Sequence, residues 1–196
     1  MHQAIRIILD EHRSISAVLS GLKSLAQMAR NSKVRPGFEV FRAMIYYIDA
    51  FPERMHHPKE DQHLFARLLQ RNPDARTLIE GLQAEHAEGG QLVRDLEQAL
   101  LEYEEIWPEG ADKFAAAVEN YSQFHWKHMG KEENEVLPLA QKALTAEDWG
   151  AIEAAFAANQ DPIADLREKD FDKLYQRIVN LAPAPIGLGD RWNKTG

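Results

Sequence analysis

The sequence predicts an all-α protein: an up-down-up-down four-helix bundle followed by one or two extra C-terminal helices. Three observations predict it. Apolar residues recur at helical spacing through four long segments. Each segment ends at a cluster of Pro, Gly or Asn, and the links are short, which makes neighbouring helices antiparallel. No stretch alternates with period two for long enough to form a strand.

The first helix is expected from about Ala4 to Arg30, where Ile5, Ile8, Leu9, His12, Ile15, Leu19 and Leu22 share one face. Asn31-Ser32-Lys33 ends it, and Pro36-Gly37 turns the chain. The second runs from about Phe38 to Gln70 on Phe41, Ile45, Ile48 and Leu68. Pro52 and Pro58 each remove a backbone donor inside that run, so a kink or break is expected there. Asn72-Pro73 reads as a cap followed by proline at the first helical position. A third helix follows, about Asp74 to Ile106, with Leu78, Leu82, Leu92, Leu96 and Leu100 apolar. Pro108-Glu109-Gly110 breaks it. The fourth runs from about Ala111 to Ala143, past Gly130 and Pro138. Thr145 with Asp148 three residues on caps a fifth, shorter helix reaching Ala158. Asp161-Pro162 separates this from a sixth at about Asp165 to Asn180, and the tail from Ala182 to Gly189 reads as irregular. Residues 1–144 are thus expected to form the bundle, and 145–196 a helical extension with an irregular tail.

Composition narrows the function. With 31 acidic against 23 basic residues, the 196-residue chain carries a net charge of −8. It has no basic block, which argues against nucleic acid or an anionic membrane as partner. Zero cysteines exclude disulfides, thiol catalysis, Cys-ligated zinc and iron–sulfur clusters. No apolar run approaches a membrane span and the N-terminus does not read as a leader, so the expected location is the cytoplasm.

Histidine carries the chemical signal. Eight are present, most of them inside amphipathic helices. His56-His57-Pro58-Lys59-Glu60-Asp61 aligns with His128-Met129-Gly130-Lys131-Glu132-Glu133, giving H-x-x-K-E-[DE] in the second and fourth helices. Glu11-His12 in the first helix matches Glu85-His86 in the third. The chain therefore reads as two copies of a helical hairpin. In each copy His and Glu stand four residues apart, on one helical face. Counting along antiparallel helices brings His12, His56, His86 and His128 to one height, together with Glu60 and Glu132.

Buried imidazoles and carboxylates are costly unless something compensates them, and two divalent cations would do so. Nitrogen and carboxylate donors without thiolate suit iron or manganese, and also zinc. Two carboxylates on different helices favour a bridged pair of metals, roughly 3.5 Å apart. His57, His63, His125 and Tyr121 stand beside or one to two turns from this set, and Glu135 matches His63 in the repeat. For these, and for Glu11 and Glu85, contacts behind the ligands, a surface position or ordinary packing are expected, with ligation the lesser alternative for His63 and Glu135. Met55, Met129, Phe124 and Trp126 are expected to wall the site, and His2 to fray.

This E-H, H-x-x-x-E, E-H, H-x-x-x-E order over residues 4–143 resembles the hemerythrin-like (HHE cation-binding) family. The resemblance implies a four-helix bundle around a non-haem di-iron centre with carboxylate and oxo or hydroxo bridges. By position it implies His12, His56, Glu60, His86, His128 and Glu132 as ligands. Oxygen-carrying hemerythrins add a histidine four residues after the third-helix ligand; here that residue is Gly90, preceded by Gly89. The resemblance to the four-histidine iron-centre-repair proteins is nearer, although this chain lacks their cysteine-bearing segment. The glycine pair is expected to leave an opening for a small ligand such as O2, nitric oxide or peroxide. Three functions fit: a binding or sensing module, an enzyme acting on those ligands, and iron buffering. The extension is expected to cover one side of the bundle or to make a homodimer contact.

Overall fold

In the computed structural model, residues 2–158 and 168–189 are described. The helices are α1 (Gln3–Arg30), α2 (38–71), α3 (Arg76–Glu105), α4 (111–143), α5 (Ala146–Ala158) and α6 (Glu168–Leu181). Among the described residues there is no strand, only an isolated bridge between Pro183 and Gly189. Each of the first four helices packs on its chain neighbours, and α1 closes the ring against α4. This is the up-and-down bundle that the short links predict.

α2 does not break at its prolines. It remains helical from 38 to 71 but widens into π-helix over Asp49–His56 and Glu60–Phe65. The His57 N–H reaches the Pro52 carbonyl five residues back, and the Ala66 N–H reaches Asp61 in the same way. A proline leaves the carbonyl four residues before it without a donor, and a wider turn takes up that defect. α4 carries the counterpart at Glu132–Val136, where the Leu137 N–H bonds the Glu132 carbonyl. The repeat therefore extends to the backbone, since Glu60 and Glu132 each open a π stretch.

Asn72 makes no side-chain capping bond; Pro73–Ala75 form a 3-10 turn instead, and α3 starts at Arg76. The Thr145 cap does form. Asp148 Oδ2 accepts from the Thr145 N–H at 2.9 Å, and the Asp148 N–H reaches Thr145 Oγ1 at 3.2 Å. Asp161-Pro162 lies outside the described residues. The tail is irregular yet closely bonded: the Leu188 N–H meets the Val179 carbonyl and the Gly189 N–H that of Ala182, both at 2.8 Å. A Cβ on Gly187 would lie 2.3 Å from the Val179 carbonyl oxygen, so only glycine fits this approach.

Two apolar clusters fill the bundle. One joins Ile15–Ala29 of α1 to Phe41, Ile48, Leu96, Tyr103, Phe114 and Tyr121. The other joins Ile5 and Ile8 to Phe65, Leu82, Val136 and, from α5, Trp149, Ile152 and Phe156. Each large side chain so buried contributes about 1.5–3 kcal/mol relative to exposure. α5 packs against α1 and the second π stretch of α2, whereas α6 packs against Phe38–Ile48. His2 is not frayed: its ring stacks on Trp149 at 4.3 Å. Between the two clusters lies a buried polar layer on all four bundle helices, holding Glu11, His12, His56, His57, Glu60, His86, His125, His128 and Glu132.

Candidate metal centre

The layer is built from four helices meeting at one height. His12 comes from α1, His56 and Glu60 from α2, His86 from α3, and His128 and Glu132 from α4. His12 Nε2 and His56 Nε2 face each other at 3.1 Å, and His86 Nε2 and His128 Nε2 at 3.0 Å. Glu60 spans the two pairs. Its Oε1 lies 3.9 Å from His12 Nε2, and its Oε2 lies 3.5 Å from His56 and 3.8 Å from His86. Glu132 spans them from the other side, with Oε2 3.4 Å from His12 and Oε1 3.2 Å from His128 and 3.6 Å from His86.

Behind each imidazole stands a carboxylate. His56 Nδ1 donates to Glu11 at 2.7 Å and His128 Nδ1 to Glu85 at 3.0 Å. His12 Nδ1 donates to Glu133 at 2.8 Å and His86 Nδ1 to Asp61 at 3.1 Å. These bonds place a proton on Nδ1 and aim Nε2 inward, the orientation typical of metal-ligating histidine. Lys59 donates to Glu11 at 2.8 Å, and Lys131 pairs with Glu85. Every residue of H-x-x-K-E-[DE] that the two copies share thus has a place in the site. The sequence reading assigned no part to Asp61, Glu133, Lys59 or Lys131, although the repeated K-E-[DE] carried the signal.

The pairing also crosses the repeat. Glu11 supports His56 of its own hairpin, whereas Asp61 of the first hairpin supports His86 of the second, and Glu133 of the second supports His12 of the first.

The electrostatics follow the geometry. Burial pushes the Glu60 carboxyl well above its usual range, and the nearby Glu132 charge adds to the shift. Burial acts on Glu132 in the same direction, but the imidazoles of His128, His86 and His12 outweigh it and hold that carboxyl well below the usual range. Burial lowers the His56 pKa, so that ring is neutral. For His86 burial is outweighed by Asp61 and Glu132, which together push it up to about 9.

Four buried carboxylate oxygens, both of Glu60 and both of Glu132, have no hydrogen-bond partner. Unpartnered carboxylates at this depth are expensive, and a cation among the four inward nitrogens would meet them. His12, His56, Glu60 and Glu132 offer donor atoms within 4.8 Å of one another, and so do His57, His86 and His128. The donor set suits a hard to borderline divalent metal.

The remaining predicted residues divide. His57 and His125 are buried beside the centre around a further carboxylate, Glu53, which the sequence reading did not single out. His57 Nδ1 lies 3.3 Å from Glu53 Oε2, and His125 Nε2 donates to Oε1 at 3.1 Å. Tyr121 Oη donates to the same oxygen at 2.8 Å. Glu53 stands three residues before His56, as His125 stands before His128, which is the one trace of it in the repeat. His63 is only partly buried and stays apart; its carbonyl accepts from Arg67. Glu135 is exposed.

The opening expected at Gly89–Gly90 is not there. A Cβ on Gly89 would meet the Glu53 carboxylate oxygens at 3.0 and 3.1 Å, so that carboxylate occupies the space. Gly90 turns aside, and the nearest atom to a Cβ there is Arg94 Nη1 at 3.9 Å. The inward stripe of α3 runs through Leu82, His86, Gly89, Val93 and Leu96, which leaves Gly90 at its edge.

Fold and site together define a cation-binding four-helix bundle with a histidine–carboxylate centre. Residues 3–140 match the family model of the hemerythrin HHE cation binding domain, and the chain belongs to that family. No curated protein matches the chain. No helix among the described residues is long and apolar enough to cross a membrane.

Proposed function

We propose that the chain holds a dinuclear non-haem iron centre that binds or reacts with O2, nitric oxide or peroxide, in the cytoplasmic response to, or sensing of, oxidative or nitrosative stress. The observation that carries this reading is the set of four unpartnered carboxylate oxygens between two pairs of inward Nε2 atoms. His12 and His56 would hold one cation and His86 and His128 the other, with Glu60 and Glu132 offering carboxylate oxygens to both. Iron supplies the change of oxidation state that chemistry on these small ligands requires; manganese or zinc fits the same donors. The protein's own part is to fix the imidazoles through Nδ1, to neutralise charge with two carboxylates, and to exclude bulk water with apolar clusters above and below.

Metal analysis after iron loading should find two irons per chain. Spectra under O2, together with assays of catalytic peroxide consumption and nitric oxide reduction, separate a binding module from an enzyme. Turnover of either ligand assigns an enzyme, reversible spectral change without turnover assigns a binding module, and neither response leaves iron itself as the cargo. An iron content of one or none would defeat the dinuclear reading.

A further inference from the structure

Glu53 raises a question that the centre does not answer. It is a carboxylate 7% exposed, held by Tyr121 and His125, and α3 makes room for it with a glycine. The answer lies in what it faces. All four inward histidines share one signature: a carboxylate on Nδ1, a buried ring, and Nε2 toward the centre. His57 shares part of that signature: its ring is buried, at 4% exposed, and Glu53 Oε2 stands 3.3 Å from Nδ1, close enough to pair although that nitrogen makes no hydrogen bond as it lies. That ring lies 4.2 Å from the ring of His86 and 5.4 Å from that of His128. His125 is turned the other way, spending Nε2 on Glu53.

Resting on the dinuclear reading above, we propose that His57 is a fifth imidazole ligand, supplied from α2 to the cation on His86 and His128, with Glu53 as its positioning residue and Gly89 providing the space. One donor atom each from His57, His86 and His128 already lies within 4.8 Å of the others. The His57 ring lies flat on His86, at 11° between planes. Pointing Nε2 at a shared cation therefore takes a turn about its side-chain bonds, and the same turn would bring the unpartnered Nδ1 into line with Glu53. α3 carries glycine where a Cβ would crowd Glu53, so the helix that offers no second imidazole is also the one that lets its neighbour supply it. The two cation positions then differ by one imidazole. The His12–His56 side is the less filled one, and small ligands have their room there.

The test uses the full chain loaded with Co2+, a paramagnetic probe of ligated imidazole. Each ligand histidine with a proton on Nδ1 gives one strongly shifted, solvent-exchangeable proton resonance. The expected result is five such signals at two Co2+ per chain, with one lost in His57→Ala and none lost in His125→Ala. The wild-type count decides the matter even if a variant folds poorly. Four signals with two Co2+ bound would overturn the assignment and leave the dinuclear centre standing, as would five that all survive in folded His57→Ala. Fewer than two Co2+ per wild-type chain would remove the dinuclear reading, and this assignment with it.

Discussion

Glu133 is 40% exposed, yet its Oε1 fixes His12 Nδ1 at 2.8 Å. Glu133→Gln keeps an acceptor but loses the charge that stabilises a cation-bound imidazole. Removing such a partner typically costs 10–100-fold in metal affinity, and about that loss is expected here with little change in thermal midpoint. Asp61→Asn should behave alike, because it supports His86 in the same way. Competition with a chromophoric chelator measures both. Protons provide a second test. At neutral pH His86, with its pKa pushed up to about 9, carries a proton, and burial pushes the Glu60 carboxyl upward as well. A cation has to displace the His86 proton, so metal binding should release protons and tighten as pH rises toward 9. The window lies above the 6.5 of free histidine. In chelator-treated protein the sign reverses: the raised pKa of His86 adds stability that is whole below about 6.5 and lost as pH climbs through 9. Calorimetry in buffers of different ionisation enthalpy reads the protons directly, and an affinity flat from pH 6 to 9 would contradict the account.

At the scale of helices, α3 offers a clean comparison of neighbours. Gly90 lies within the helix with only Arg94 near a built Cβ, so Gly90→Ala should stabilise the protein by about 0.5–1 kcal/mol through helix propensity. Gly89→Ala gains the same propensity but has to push Glu53 aside, so its net gain should be smaller. Thermal or urea unfolding of the two variants checks this, and equal gains would mean that Glu53 yields freely. The same pair marks where sequence reading stops. Periodicity gave the helices and, from the four-residue spacing and the repeat, the common height of His12, His56, His86 and His128. Which residue of Gly89 and Gly90 turns inward depends on rotation of α3 by a fraction of a turn, finer than spacing resolves. The π stretches were illegible for a related reason. Pro52 and Pro58 announce a defect in the hydrogen-bond ladder, but a break, a kink and a widened turn all satisfy the same missing donor. Cross-hairpin partners such as Asp61 with His86 needed the packed bundle, since nothing local pairs residues 25 apart.

Taken whole, the molecule places a polar layer between two apolar clusters. Without a cation the unpartnered carboxylates of this layer should weaken the bundle at mid-height, and a bound one would tie the four helices together. Chelation should therefore lower the unfolding midpoint, and stability should follow free metal concentration, by about 2.7 kcal/mol at 100 times the dissociation constant. Differential scanning calorimetry across a metal titration is the measurement, and a midpoint indifferent to metal would mean that the layer is stable by itself. The C-terminal helices belong to this balance, since Trp149, Ile152 and Phe156 share the cluster beneath the centre and Lys59 lies against the Phe156 ring at 5.0 Å.

The crossed support between hairpins has the pattern of a twofold pair. Asp61 reaches from the first copy to His86 of the second, and Glu133 from the second to His12 of the first. One hairpin by itself thus holds two inward histidines but backs only one of them; the other is backed from across the axis. Two identical hairpins facing each other about a twofold axis would complete the set with no residue unmatched. The chain thus has the arrangement of two matched hairpins about such an axis, and Glu53, His57 and Gly89 are where it departs from that match, since the corresponding positions carry His125, Met129 and Ile15.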